Sequence, residues 1–411
     1  MDTSAQHKWI FTARFRRQAF GWRSQPAIRR LKEAVAEIRA AARKDPVLGA
    51  TGAVLLLEKL SPALERVDSS SGAIGTAVNS AIETLVPLIA KAPVDEQIRQ
   101  KWLERLWKAI GEDDIPYIEG LAEYWGELCQ SPELASFWAD ELISAVRLVW
   151  SRDRFAGGSY FKGTSACLSA LFTSGRHAEI MELLDLAPHQ FWYERQWGVK
   201  ALAAMGKKAE AIGYAEASRG PYESPGAIAR ACEEIMLASG MVDEAYSRYA
   251  IEANQKATYL ATFRAIAKKY PQKAPQAILS DLVESTPGNE GKWFAAAKSA
   301  GLYSEAIELA NRSACDPKTL TRAARDMQRD QPLFAVEAGM AALRWLVAGY
   351  GYEITGRDVR DACDFTMEAA RNAGCPGETL ARMRTLVASD TSSERFVGRI
   401  LGPELGISFQ S

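Results

Sequence analysis

Apolar residues recur along most of the chain at intervals of three and four, which is the spacing of one face of an α-helix. The clearest case follows Pro132, where Phe137, Trp138, Leu142 and Val146 share this spacing. The alternation of apolar and polar residues that marks a half-buried strand is almost absent, and Gly and Pro interrupt the pattern at short intervals. The pattern therefore predicts an all-α fold with no β-sheet.

Capping residues mark where several of these helices begin. A polar residue shortly before a proline occurs at Ser24–Pro26 and again at Asp45–Pro46, and proline is favoured in the first turn of a helix. The helix after Pro46 is broadly apolar through Val54–Leu57, so it needs neighbours on more than one side. We expect residues 45–158 to form irregular helical pairs and residues 351–411 to form C-terminal capping helices.

The second half of the chain carries an internal repeat. A glycine followed four residues later by a glutamate occurs at Gly175, Gly206, Gly240 and Gly301. Weaker copies begin at Gln272 and Leu333, so successive copies lie 29 to 34 residues apart, a period typical of stacked helical hairpins. In such a hairpin the glycine ends the first helix in the left-handed conformation, and the glutamate lies at the positively polarised start of the second.

At these positions, over about residues 160–350, the chain resembles the tetratricopeptide repeat family. The large aromatic residue and the Leu-Gly pair of that family's first helix are mostly missing here. The resemblance implies a right-handed α-solenoid of stacked antiparallel helical hairpins, with the repeats at residues 159–350. The turn Val67–Gly72 is similar to one in an uncharacterised bacterial family of helical-repeat proteins. Some of its relatives carry a SWIM zinc finger, but no SWIM cysteine/histidine cluster is present in this sequence.

A solenoid of this kind presents a long concave surface built from the first helix of each hairpin. Counting back from each turn glycine places a mixed but mainly basic set of side chains on that surface: Lys162, Tyr193, Gln196, Lys200, Arg230, Lys269 and Lys298. The charge of this set predicts a non-catalytic scaffold that binds an acidic segment of a partner protein along the groove. The alternative is that these lysines and arginines are ordinary solvated residues.

Residues 1–44 differ from the rest of the chain in charge. They contain eleven Lys and Arg against three acids, whereas the whole chain has a net charge of −1. Aromatic residues are interleaved with these charges, and such a combination can bind phosphates and stack on bases. A site for nucleic acid or another polyanion would use Arg14, Arg16, Arg17, Trp22, Arg23, Arg29 and Arg30. Two alternatives are an organelle transit peptide and a helical cap whose apolar face is Trp9, Phe15 and Phe20.

The sequence contains no enzyme, cofactor or metal motif that survives inspection. Ser159–Lys162 matches the S-x-x-K pattern without the partner motifs of that chemistry, and Ser69–Thr76 lacks the ending of a phosphate-binding loop. The acidic run Glu112–Asp114 is interpreted as a solvated loop, and the aromatic run Phe191–Tyr193 together with Trp197 as hairpin core. We therefore expect no catalysis, no cofactor and no metal.

Cysteine usage indicates a reducing compartment. The six cysteines lie at least twelve residues apart and only three histidines are present, so no zinc site has a recognised spacing. The sequence shows neither a secretory leader nor an apolar run judged long enough to span a membrane. Together these observations predict a cytoplasmic protein with no membrane contact.

Overall fold

The computed structural model describes residues 7–151, 160–187, 189, 191–221, 223–390 and 396–407. They belong to two compact units, Met1–Gly240 and Met241–Ser411. The regular elements of these residues are 22 α-helices and two 3₁₀ segments, with no strand in the ranges described. The all-α prediction is confirmed. The expected domain boundary at residues 158/159, and with it Ser159 of the S-x-x-K match, lies outside the described residues.

The first unit is built from long helices in its first half and shorter helical pairs in its second half. Its helices are α1 (Ile10–Arg14), α2 (Ser24–Ala42), α3 (Pro46–Leu64), α4 (Ala73–Ala90), α5 (Glu96–Gly111), a 3₁₀ segment (Glu119–Tyr124), α6 (Trp125–Cys129), α7 (Pro132–Ser151), α8 (Thr164–Thr173), α9 (His177–Leu186), α10 (Trp192–Ala204), α11 (Lys208–Glu216) and α12 (Pro225–Leu237).

The second unit continues with helical pairs of similar length. Its helices are α13 (Val242–Ala253), α14 (Tyr259–Lys269), α15 (Pro275–Glu284), a 3₁₀ segment (Glu290–Trp293), α16 (Phe294–Ser299), α17 (Tyr303–Arg312), α18 (Pro317–Met327), α19 (Pro332–Val347), α20 (Gly356–Asn372), α21 (Pro376–Ala388) and α22 (Phe396–Leu405). Consecutive helices pack on one another, most extensively α18 on α19 and α19 on α20.

The repeat glycines have the conformation that the sequence predicted. Gly175, Gly206 and Gly301 have φ values of 75°, 80° and 75°, in the left-handed region. After each of them the next backbone N–H donates to the carbonyl five residues earlier, as Arg176 does to Leu171 at 2.9 Å. This is the Schellman arrangement, which satisfies carbonyls at the end of a helix. The glycines therefore end α8, α10 and α16 as expected.

The weakest repeat copy is displaced in the structure. After Gly175, Gly206 and Gly301 the second helix begins two residues later. The copy at Leu333 does not fit this register, because α19 already begins at Pro332 and Leu333 lies within it. Because proline is favoured at the first helical position, α19 begins at Pro332, and the turn between the two helices precedes this residue.

The N-terminal aromatic residues belong to the core of the first unit. Trp9, Phe11, Phe15 and Phe20 are buried, and consecutive ring centroids in this series lie 5.3 to 6.5 Å apart. The Trp9 ring packs so closely on Gly52 of α3 that a side chain at that position would overlap it. Trp9, Phe15 and Phe20 are therefore buried, as the cap interpretation expects, but they do not form one face of a helix, because α1 contains none of them.

Two helices of the first unit correct an expectation about membranes. The helices α3 and α4 are long and apolar enough to cross a bilayer when judged by length and composition alone. They are apolar on wide faces because α3 packs against α2, α4 and α5, and eleven of its residues are buried. A core helix covered on several sides meets the same criterion, so the observation is weak evidence for membrane insertion.

Candidate functional site

A cavity of about 740 Å³ lies in the first unit, lined by the 3₁₀ segment Glu119–Tyr124 and the first turns of α8 and α10. We call it the acidic pocket. Among the described lining residues there is a single ammonium group, that of Lys162. Against it stand five carboxyl groups: Asp113, Asp114, Glu119, Glu123 and Glu194.

Asp113 is the most deeply buried carboxylate of the acidic pocket, with 1% of its surface exposed. Its Oδ2 accepts a hydrogen bond of 2.8 Å from the backbone N–H of Ile118. Its Oδ1 is buried and has no hydrogen-bond partner among the described residues. Buried carboxylate oxygens are nearly always hydrogen-bonded, so this atom calls for a donor that the described part of the chain does not supply.

Lys162 does not supply that donor. Its Nζ donates to the backbone carbonyls of Asp113, at 2.6 Å, and of Ile110, at 3.3 Å. The ammonium group therefore ties the start of α8 to the loop after α5. Desolvation raises the pKa of Glu119, and the attraction of the Lys162 ammonium group opposes that rise only in part.

Crowding and burial raise the pKa of three glutamates in this pocket. Desolvation raises the pKa of Glu194 to about 7, an effect that the Tyr193 side chain partly opposes. Desolvation also raises the pKa of Glu119, with a further contribution from Asp113. The Glu123 side chain touches solvent but lies among many protein atoms, and desolvation raises its pKa against the attraction of Lys200. Each of these groups would be stabilised as an anion by a positive ligand.

Aromatic rings border the same carboxyl groups. Phe191 and Tyr193 stack with their ring centroids 5.5 Å apart and their planes 13° from parallel. Although the sequence suggested hairpin core, their side chains are 39% and 43% exposed, because α10 begins at Trp192 and its first turn points into the cavity. Trp150, Tyr160 and Phe161 also belong to the aromatic part of the lining. Ring faces next to carboxylates attract cations.

The groove residues predicted in the first unit lie around or beyond this pocket. Lys162 and Tyr193 line it, and Gln196 follows Tyr193 on α10, where its Nε2 donates to the Tyr193 carbonyl at 3.0 Å. The Nζ of Lys200 lies 4.1 Å from the centroid of the Trp197 ring. Arg230 is on the exposed face of α12.

The charge around Lys200 differs from a simple basic groove. Desolvation lowers the pKa of Lys200, and the carboxylates of Glu123 and Glu234 act in the opposite direction. The positive charge of this side chain is therefore set among negative ones. The remaining two predicted residues, Lys269 at the end of α14 and Lys298 near the end of α16, are half-buried and belong to the second unit. That all seven share one groove stays a prediction.

No protein-family model and no curated protein sequence matches this chain. Among solved structures the chain is similar to one from the crystal structure of the APC/C hetero-tetramer Cut9–Hcn1. The match has 12% sequence identity and a TM-score of 0.22, and it covers 86% of this chain and 76% of the other. A TM-score this low carries no argument, so the fold assignment rests on the helices and their turns. The similarity to the bacterial helical-repeat family gains no support.

Several arginines of the predicted polyanion site are paired with acids of the same unit. Arg14 and Arg30 both contact the Glu33 carboxylate at 2.7 Å, and Arg17 contacts Glu65 at 3.0 Å. The hydrogen bond from Arg30 lowers the pKa of Glu33, and hydrogen bonds from Gln18 and then Arg17 lower the pKa of Glu65. Trp22 is 72% exposed, and the other predicted members are also at the surface: Arg16, Arg23 and Arg29. The segment therefore presents part of its charge, while four of its aromatic rings are in the core.

Sequence reasoning missed the acidic pocket. The run Glu112–Asp114 was interpreted as a solvated loop, yet Asp113 is buried because its carboxylate accepts the N–H of Ile118 and folds the loop inward. The signal that could have drawn attention to Glu194 is its position directly after the aromatic run Phe191–Tyr193, in the first turn of a helix. Nothing local in the sequence joins these two carboxyl groups.

Proposed function

We propose that this chain is a non-catalytic helical-repeat scaffold that binds a segment of a partner protein. The observation that carries the proposal is the acidic pocket, a cavity of about 740 Å³ bordered by the exposed rings of Phe191 and Tyr193. Exposed aromatic residues next to a concave polar surface are typical of protein-binding sites, where they supply most of the binding energy. Helical pairs of this kind present such surfaces on rigid elements.

The chemistry of the cysteines supports binding over catalysis. Burial raises the pKa values of the Cys129, Cys167 and Cys315 thiols to about 12. A thiol with such a pKa stays protonated at neutral pH and is a poor nucleophile. Their surroundings are those of small apolar core residues, as their burial indicates.

The sequence-based hypothesis of an acidic partner segment is not favoured by the geometry of the first unit. Lys162 is engaged by backbone carbonyls, and Lys200 lies among carboxylates. An acidic segment would therefore meet repulsion at the pocket. The acidic partner stays a prediction for the surface that carries Lys269 and Lys298.

The alternative function, binding of nucleic acid or another polyanion by the N-terminal segment, has less support. Arg14, Arg17 and Arg30 already contact glutamates, and the buried rings of this segment cannot stack on bases. Exposed arginines remain, so the experiment below includes them.

The test begins with the full-length chain, from which partners are captured, identified by mass spectrometry and then measured as purified proteins. Replacing Phe191 and Tyr193 by alanine should lower the affinity for the partner by roughly tenfold or more, since aromatic residues at the centre of an interface dominate affinity. The matched control is Trp22→Ala, an exposed aromatic residue of the same unit, which should leave the affinity unchanged.

Two outcomes would contradict the scaffold. One is that no purified protein binds the full-length chain saturably. The other is that the chain binds a nucleic acid with steep salt dependence, and that Arg16→Ala, Arg17→Ala and Arg23→Ala together abolish this binding while the aromatic changes have no effect.

A further inference from the structure

Among the described residues that line the acidic pocket, carboxyl groups outnumber ammonium groups. Five carboxyl groups line it and the one ammonium group among the described lining residues donates its hydrogen bonds to backbone carbonyls. Asp113 and Glu194 are buried, and burial strengthens the repulsion that a carboxylate experiences from its neighbours, since the local dielectric is lower than that of water. The acidic pocket therefore favours a positively charged group.

The unpartnered Oδ1 of Asp113 shows where such a group would be held. This atom is buried at the pocket, and its neighbour Oδ2 is already used by the N–H of Ile118. An oxygen in this position binds strongly to a charged N–H donor and weakly to an apolar group. The carboxylates of Glu119 and Glu194 share the same lining, so a ligand with several N–H groups can contact more than one of them.

The distribution of the carboxyl groups favours an organic cation over a metal ion. In the described part of the chain no group of three or more His, Cys, Asp or Glu side chains is placed to hold a metal ion. The negative charge is instead spread around a cavity that also contains the stacked rings of Phe191 and Tyr193. An ammonium or guanidinium group with an apolar stem matches both parts of this surface, because its charge contacts carboxylates while its stem packs on the rings.

We infer that the acidic pocket receives a lysine or arginine side chain from a partner protein, with Asp113 as its innermost carboxylate. The inference rests on the proposed scaffold function and specifies the chemistry of the segment that the scaffold binds. The exposed edges of Phe191 and Tyr193 favour a protein segment as the source of the cation, because they remain to be covered once the pocket is filled. A volume of about 740 Å³ also leaves room for residues that flank the charged side chain.

The first test uses short synthetic peptides and the full-length chain. Four acetylated and amidated pentapeptides carry lysine, arginine, norleucine or glutamate between glycines, and their affinities are measured by isothermal titration calorimetry. The lysine and arginine peptides should bind at least roughly tenfold more tightly than the norleucine peptide, and the glutamate peptide should not bind. Equal binding of the norleucine peptide would overturn the inference.

The second test locates the binding. Asp113→Asn keeps the size of the side chain and an oxygen for the N–H of Ile118 but removes the charge, and it should lower the affinity of the lysine peptide roughly tenfold or more. Glu119→Gln is the second variant, which keeps the test usable where Asp113→Asn impairs folding. The matched control is Glu133→Gln, an exposed acid of the same unit outside the pocket, with an expected change of less than about twofold. Unchanged affinity in both pocket variants would overturn the inference.

Further measurements separate this inference from the scaffold itself. Spermidine carries amino groups like that of lysine but is not a peptide. If spermidine binds more tightly than the lysine peptide, and if Asp113→Asn and Glu119→Gln weaken its binding, the source of the cation is a small molecule and the inference is overturned. If a captured partner binds the full-length chain and neither Asp113→Asn nor Glu119→Gln weakens it, the scaffold stands and the pocket inference falls. If the lysine peptide binds at Asp113 but no protein partner does, both the scaffold and the inference of a partner side chain are overturned, and only a site for free cations is left.

Discussion

Glu194 allows the electrostatics of the acidic pocket to be tested through protein stability alone. The residue is 7% exposed, and desolvation raises the pKa of its carboxyl group from 4.5 to about 7. Replacement by glutamine keeps the shape of the side chain and removes the ionisable group. We therefore expect Glu194→Gln to stabilise the first unit at alkaline pH and to have little effect in acid.

The sign and size follow from proton linkage. Because the pKa is higher in the folded protein, the folded state binds the proton more tightly than the unfolded chain, and the stability of the wild type falls as the pH rises from about 4.5 to about 7. A rise of the pKa from 4.5 to about 7 corresponds to an upper limit of about 3 kcal/mol, since each tenfold change in proton affinity is worth about 1.4 kcal/mol. Glu194→Gln has no ionisable group at this position, so its stability does not fall with pH for this reason.

The assay is urea unfolding at a series of pH values, followed by tryptophan fluorescence and circular dichroism in wild type and variant. The difference in unfolding free energy should be near zero at about pH 4.5, grow through neutrality and level off above about pH 8. Glu119 and Glu123 titrate in both proteins, so their contributions largely cancel in the difference. Glu133→Gln is the control and should follow the wild type throughout. A stabilisation independent of pH, or a destabilised variant at pH 8, would refute the reasoning.

Two further predictions concern packing in the first unit. Gly126→Ala should destabilise the unit by about 1–3 kcal/mol in urea unfolding, because a Cβ at this position would overlap the Thr173 side chain and the Ser169 carbonyl. The control is Gly213→Ala, where a Cβ has open space and the change should be neutral or stabilising by up to about 1 kcal/mol. Equal effects of the two changes would contradict this packing. Arg99→Met should lower the free energy of unfolding by about 3 kcal/mol. The buried Arg99 guanidinium donates to three backbone carbonyls at 2.9–3.2 Å, and in the variant these carbonyls would lose their donor. An Arg99→Met variant as stable as wild type would show that water replaces the side chain.

The sequence was sufficient for the features that depend on neighbouring residues. Helices follow from apolar spacing, and the turns after α8, α10 and α16 follow from glycine, which adopts a positive φ without the steric cost that other residues meet. The burial of Trp9, Phe15 and Phe20 could also be anticipated, because an aromatic face on a basic segment has a structural explanation as a cap. Each of these features is encoded within a few residues.

Tertiary packing decided the features that carry the functional proposals. Asp113 and Glu194 are 81 residues apart in the sequence and line one cavity because the 3₁₀ segment, α8 and α10 pack together. The apolar surfaces of α3 and α4 are explained by their neighbours, and composition alone would equally allow a membrane span. The charge of a site likewise depends on side chains from separate helices. Lys162 and Lys200 belong to a basic pattern along the sequence, but in the folded protein Lys162 donates to backbone carbonyls and Lys200 lies near carboxylates of other elements. Local spacing specifies helices and turns, whereas desolvation and electrostatic potential depend on which distant segments come into contact.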